Sequence, residues 1–147
     1  MLGLAPALLG WAGALEAQVR TDRRPLAAVL AAPDPFLGLG VGVSRWGRFG
    51  VGGGGSVAGG VRGDRAAGRA EAWVGYHLSP ARSRGWGPYA GVGGAFLAGG
   101  GDPAGYLVVF VGAESRPAAG RGWFAEVGVG GGPRFVVGYR ISRRRRA

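Results

Sequence analysis

"FVVGYRIS", residues 135–142, decides the reading of this chain. Phe135, Val137, Tyr139 and Ile141 take every second place, and Arg134, Val136, Gly138 and Arg140 take the places between. Successive side chains of a strand point to opposite faces, so this is a strand with one greasy face and one face of arginine and glycine. The arrangement recurs. In 37–46, Leu37, Leu39, Val41 and Val43 alternate with Gly38, Gly40, Gly42 and Ser44. In 49–59, Phe49, Val51 and Val57 share a parity and the other face is nearly bare. In 70–78, Ala70, Ala72, Val74, Tyr76 and Leu78 oppose Glu71, Trp73, Gly75 and His77. Residues 88–99 mix aromatics and glycines on both faces. In 106–114, Leu107, Val109, Val111 and Ala113 oppose Tyr106, Val108, Phe110, Gly112 and Glu114. In 123–131, Trp123, Ala125, Val127 and Val129 oppose Phe124, Glu126, Gly128 and Gly130.

Glycine- and proline-bearing turn signals separate these runs, among them Pro33-Asp34-Pro35, "VRGDRAAG", "SPARSRG", "GGGDP", "SRPAAGR" and Gly132-Pro133. They delimit seven strands, or eight if 26–31 makes the first. The stretch 25–33, "PLAAVLAAP", reads as that strand or as a short helix. Elsewhere glycine is too dense for helices, since each costs about 1 kcal/mol against alanine in a helix interior.

Composition narrows the class. Of 147 residues 34 are glycine, against roughly 7% in ordinary proteins. There is no G-x-y period, which excludes collagen, and a 47% hydrophobic content excludes a solvated disordered chain. With no cysteine, neither a disulfide scaffold nor a thiolate metal site is available. The net charge of +10 rests on arginine alone and suits phosphate on lipid or nucleic acid. The first eighteen residues, "MLGLAPALLGWAGALEAQ", carry no charge before Glu16. The apolar run is shorter than the ~20 residues a membrane helix needs and reads as a secretory signal helix cut after Ala17.

An open sheet of this length leaves two edges exposed, and closure removes them. A barrel in water would turn its apolar face inward and cover itself with charge. This chain has too little charge on the alternate faces for that, so the pattern fits a barrel with Val, Leu and Ala against lipid and glycine with a few polar groups inside. The expected fold is all-β: an antiparallel up-and-down closed β-barrel of about eight glycine-rich strands. Its expected organisation is a signal peptide over 1–17, an N-terminal segment over 18–34 with a possible first strand, the barrel over 35–142, and a basic tail over 143–147.

The signal-like start, "GPYAGVGGAF", "GWFAEVGVGGG" and the final "RFVVGYRIS" resemble the small outer-membrane β-barrel proteins of bacteria, the OmpA- and OmpX-type eight-stranded barrels. The resemblance spans about residues 35–142. It implies a non-enzymatic barrel of the bacterial outer membrane, structural or surface-interacting and monomeric. Its implied partners are outer-membrane lipid and lipopolysaccharide, with no cofactor, metal or nucleic acid.

Five constellations are candidates for chemistry. Glu71, Glu114 and Glu126 share the inner parity with Arg134 and Arg140; an ionised carboxylate buried alone costs several kcal/mol, so they should pair. They read as a gate across a pore or as a network that holds strand register, and a narrow eight-stranded interior favours the network. His77 and Ser79 lie two apart on one strand face. This H-x-S pair resembles that of outer-membrane lipid A deacylases, which implies His77 as general base and Ser79 as nucleophile; no acidic third member can be placed, Glu71 lying about 20 Å along the strand. "GVGGGG", 50–55, fits a dinucleotide-binding spacing but has no helix after it. Trp46, Trp86, Tyr89, Tyr106, Trp123 and Tyr139 lie near strand ends, as girdle aromatics would. The basic loops hold Arg62, Arg65 and Arg69, then Arg82 and Arg84, then Arg116 and Arg121; they appear at both ends of the strands, as lipid-phosphate contacts or solvated turns. A soluble exported barrel binding a small apolar ligand or a partner is the remaining alternative.

Overall fold

The computed structural model describes residues 20–31 and 35–144. The expected signal peptide over 1–17, residues 18–19 and 32–34, and 145–147 of the expected tail lie outside the described residues. Eight strands follow in order: β1 (Arg20–Leu30), β2 (Phe36–Trp46), β3 (Val51–Arg62), β4 (Arg65–His77), β5 (Trp86–Ala98), β6 (Ala104–Ser115), β7 (Arg121–Val129) and β8 (Pro133–Arg144). Each pairs antiparallel with the next, and β8 returns to pair with β1, so the sheet closes into a barrel. Closure leaves no edge. An even strand number puts the start of β1 and the end of β8 at one end, the terminal end, with turns 47–50, 78–85 and 116–120. The distal end carries 31 and 35, 63–64, 99–103 and 130–132.

The barrel begins at Arg20, not at residue 35, and the 18–34 segment contributes a full strand. "RTDRR", 20–24, lies outside the expected 26–31 strand and carries four charges. Its alternate members Arg20, Asp22 and Arg24 are buried in the lumen, while Arg23 and Pro25 face outward. Likewise β8 runs through Arg143 into the segment assigned to the tail.

Parity separates the two faces throughout. Leu39 is 74% exposed and Leu107 71%, while the inward Val108 is 0% and Phe110 1%. The inner face holds rings that need glycine opposite them. A Cβ on Gly54 would lie 2.6 Å from the Trp73 ring, one on Gly91 2.5 Å from Phe110, and one on Gly138 2.6 Å from Phe124. The bare parity is therefore space for aromatic side chains from the inner wall.

Two details complete the wall. Gly63, at φ 62°, opens the two-residue turn between Arg62 and Arg65 in a conformation that other residues resist. Pro25, lacking an N–H, falls where the β1–β8 ladder is interrupted: the pairs run from Arg23↔Ile141 to Leu26↔Gly138 with none between, yet the register is the same on both sides.

Gly138→Ala should destabilise the barrel by about 1–3 kcal/mol, the range for overpacking a filled interior, because its methyl meets both Phe124 and the Pro25 carbonyl. Pairing it with Phe124→Leu should recover part of the loss. Urea unfolding followed by tryptophan fluorescence measures both.

Candidate functional site

The functional candidate is the lumen. Six arginines (20, 24, 62, 69, 134, 140) and four carboxylates (Asp22, Glu71, Glu114, Glu126) are buried there among the described residues. The strand alternation that sends aliphatic residues outward delivers all ten inward.

Near the terminal end, Glu114 is the hub. Its Oε1 accepts from Arg20 Nη2 (2.6 Å) and pairs with His77 Nε2 (2.9 Å), and its Oε2 lies 3.0 Å from Arg140 Nε. Arg20 Nε also donates to Asp22 Oδ2 at 2.9 Å. The same two arginines hold the 116–120 turn over the lumen mouth. Arg20 donates to the Pro117 carbonyl. Arg140 donates to the carbonyls of Ala119 and Arg116, each at 3.0 Å. Within that turn the Pro117 side chain is buried, and Arg116 adopts φ 45°.

Deeper in, Arg134 bridges two carboxylates: its Nη2 is 2.7 Å from Glu71 Oε2 and 2.9 Å from Glu126 Oε2. Arg69 Nε donates to Glu71 Oε1 at 2.7 Å. Arg24 Nη2 donates to Glu126 Oε1 (2.8 Å) and to the Tyr89 hydroxyl (2.6 Å), and that hydroxyl donates to the same Glu126 oxygen at 2.8 Å. Aromatic faces complete the desolvated surroundings, with the Arg24 guanidinium 3.7 Å from the Phe124 centroid and that of Arg134 4.9 Å from Phe110. Leu30, Phe36, Leu97, Phe124 and Val136 form one apolar cluster; Trp46, Trp73, Tyr89, Val108 and Phe110 form another. A cavity of about 10 Å³ remains beside Arg24 and Trp73, the size of a single water at most.

The structure brings Glu71, Glu126 and Arg134 into one cluster and Glu114 and Arg140 into the other. Arg20, Asp22, Arg24, His77 and Tyr89 also belong to these clusters and were missed. Their parity within β1, β4 and β5 is the signal that places them. Arg62 and Arg69, read as loop arginines, sit on inward parities of β3 and β4 and are buried. Trp46 and Tyr89, read as girdle residues, face the lumen; Trp86 and Trp123 do face outward.

His77 is fully buried. Its Nδ1 accepts the Ser79 backbone N–H at 3.0 Å, which leaves the ring proton on Nε2, donated to Glu114. Both nitrogens are engaged, so neither has a lone pair for the Ser79 hydroxyl, and this geometry does not assemble a general base with a serine nucleophile.

No protein-family model and no curated protein matches the chain. Among solved structures, the chain is similar to the N-terminal β-barrel domain of Pseudomonas aeruginosa OprF, with a TM-score of 0.66 at 12% identity over 86% of this chain and 97% of that one. It is also similar to the Neisserial surface protein A, NspA, with a TM-score of 0.51 at 13% identity over 84% of this chain and 95% of that one. At these identities the likeness is one of fold, and the expected closed antiparallel eight-stranded barrel is the fold observed.

Glu71→Ala strands Arg69 and deprives Arg134 of one of its two partners. Removing one member of a buried pair costs about 3–5 kcal/mol, so its urea midpoint should fall well below that of the parent. Adding Arg69→Met should restore a large part, because the stranded charge leaves with it.

Proposed function

We propose that the protein is a barrel embedded in the bacterial outer membrane, closed to solutes, with a structural or surface-interaction role and no enzymatic activity. One observation carries this reading: the wall is inverted relative to a water-soluble barrel. Val41, Val74, Val111, Val127 and Val137 are exposed, together with Leu39 and Leu107, while the charged groups of the strand interiors are mostly turned inward. A contiguous apolar surface of this extent is unfavourable in water and suits hydrocarbon as its solvent. Strands of 9 to 13 residues match the ~9–11 tilted residues that cross a bilayer core.

The likeness to the OprF barrel domain and NspA supports the same reading at the level of fold. Closure to solutes is supported by the apolar clusters, the ion pairs and the 116–120 turn across the mouth. The absence of enzymatic activity is supported by the engagement of both His77 nitrogens. The residue pattern also argues against a soluble periplasmic barrel with an apolar ligand inside, since the lumen is filled.

Two measurements test the proposal. In reconstituted vesicles, a spin label at Val109 should collide with lipid-dissolved oxygen and one at Val108 should not; equal accessibility would contradict a lipid-facing wall. In planar bilayers the parent should be silent, and steady conductance would contradict a closed lumen.

A further inference from the structure

The exposed arginines divide unevenly between the two ends of the barrel. Arg45, Arg48, Arg82, Arg84, Arg116, Arg121 and Arg143 are exposed at or beside the terminal end, with Arg23 a short way along the wall. At the distal end the strand-end and turn arginine exposed among the described residues is Arg65. The two exposed carboxylates among the described residues, Asp64 and Asp102, are both distal. The sequence places arginines at both strand ends; folding buries Arg62 and Arg69 and leaves the positive charge on one rim.

On the outer wall, four of these arginines form two cross-strand rows. Arg121, Ile141, Arg23 and Val43 make one, by the pairs Arg121↔Ile141, Arg23↔Ile141 and Arg23↔Val43. Arg143, Thr21 and Arg45 make the other, by Thr21↔Arg143 and Thr21↔Arg45. Two strand spacings put the arginines of a row about 10 Å apart. None of the four is in an ion pair among the described residues. Clustered like charge on one sheet face repels, so the patch calls for anions from outside the chain.

The rows beyond it say what kind. Next along the wall comes Trp123↔Tyr139, whose outward rings meet edge to face at 5.1 Å. Then come Ala125↔Val137 with Ala27↔Leu39, and Val127↔Phe135 with Val29↔Leu37. Charge, then amphipathic rings, then hydrocarbon is the sequence of environments met on entering a bilayer from its headgroups. A nucleic-acid surface would not continue into an aliphatic wall.

We infer that the β7–β8–β1–β2 face at the terminal end is a docking site for anionic phospholipid headgroups, with Arg23, Arg45, Arg121 and Arg143 contacting their phosphates. The inference rests on the membrane reading and adds to it which end, which residues and which lipid charge. It fixes the depth of the barrel in the bilayer from one side.

The test is lipid selectivity at the barrel surface. The full chain is reconstituted in phosphatidylcholine vesicles with trace spin-labelled phosphatidylglycerol or phosphatidylcholine, and the motionally restricted fraction of each label is compared. Phosphatidylglycerol should be enriched about fivefold or more, the effect of one arginine at an anionic surface, and the enrichment should shrink in ~1 M salt. The combined variant R23Q/R45Q/R121Q/R143Q should lose it, while R65Q at the distal end retains it; circular dichroism confirms that each variant is folded. Equal restriction of the two lipids, or selectivity that survives the fourfold variant, would overturn the inference while leaving the membrane reading intact. No restricted component with either lipid would sink both. Anisotropy of a labelled DNA duplex supplies the rival outcome: duplex binding by the parent that displaces it from phosphatidylglycerol vesicles would also overturn the inference.

Discussion

The neutralisation of charge inside a closed wall is the constraint on which the rest of the structure depends. A carboxylate or guanidinium taken out of water costs several kcal/mol unless it meets partners of good geometry. Glu71 and Glu126 are therefore each shared by two guanidiniums, and Glu114 by two guanidiniums and an imidazole. The partners come from β1, β4, β6, β7 and β8, so the network ties together strands that lie far apart in the chain. A slip of one residue in any of them would turn its charged members out into the apolar wall.

Glycine and the aromatic rings make that network possible in so narrow a lumen. Trp73, Phe110 and Phe124 occupy the space opposite glycines, and the same rings lie against the guanidiniums of Arg24 and Arg134. The interior is thus filled rather than open. Its positive excess stays on arginines held by rings and backbone carbonyls as well as by carboxylates.

Much of the fold was legible because strand parity is a local property. Val108 and Val109 could be assigned to opposite faces from their neighbours alone, and so could Arg134 and Phe135. The failures came where chemistry was weighed ahead of parity. The possible first strand was placed at 26–31, which left out the charged residues 20–24, although a lumen with four carboxylates accepts charge. Trp46 and Tyr89 were assigned to the girdle from their position near strand ends, although their parity matches the inward Ser44 and Gly91. The partners within the network were beyond reading, since register and closure decide which carboxylate meets which guanidinium. The one-sided distribution of exposed arginine was hidden for the same reason: it appears only once Arg62 and Arg69 are known to point inward.

The turn over the lumen mouth has a consequence for the order of events in folding. The two side chains that grip its carbonyls, Arg20 and Arg140, belong to the first and last strands, neighbours only across the seam. The 116–120 turn is held in part before closure, by Arg116 N–H to the Gly85 carbonyl, Ala118 N–H to the Arg82 carbonyl and Arg140 of the adjacent β8, but the Arg20 contact waits until the ends of the chain have met. Contacts of such sequence separation are the slow ones to form. The Arg20 contact is therefore a late one, and the Pro117 carbonyl it grips is a local sign that the circle has been completed.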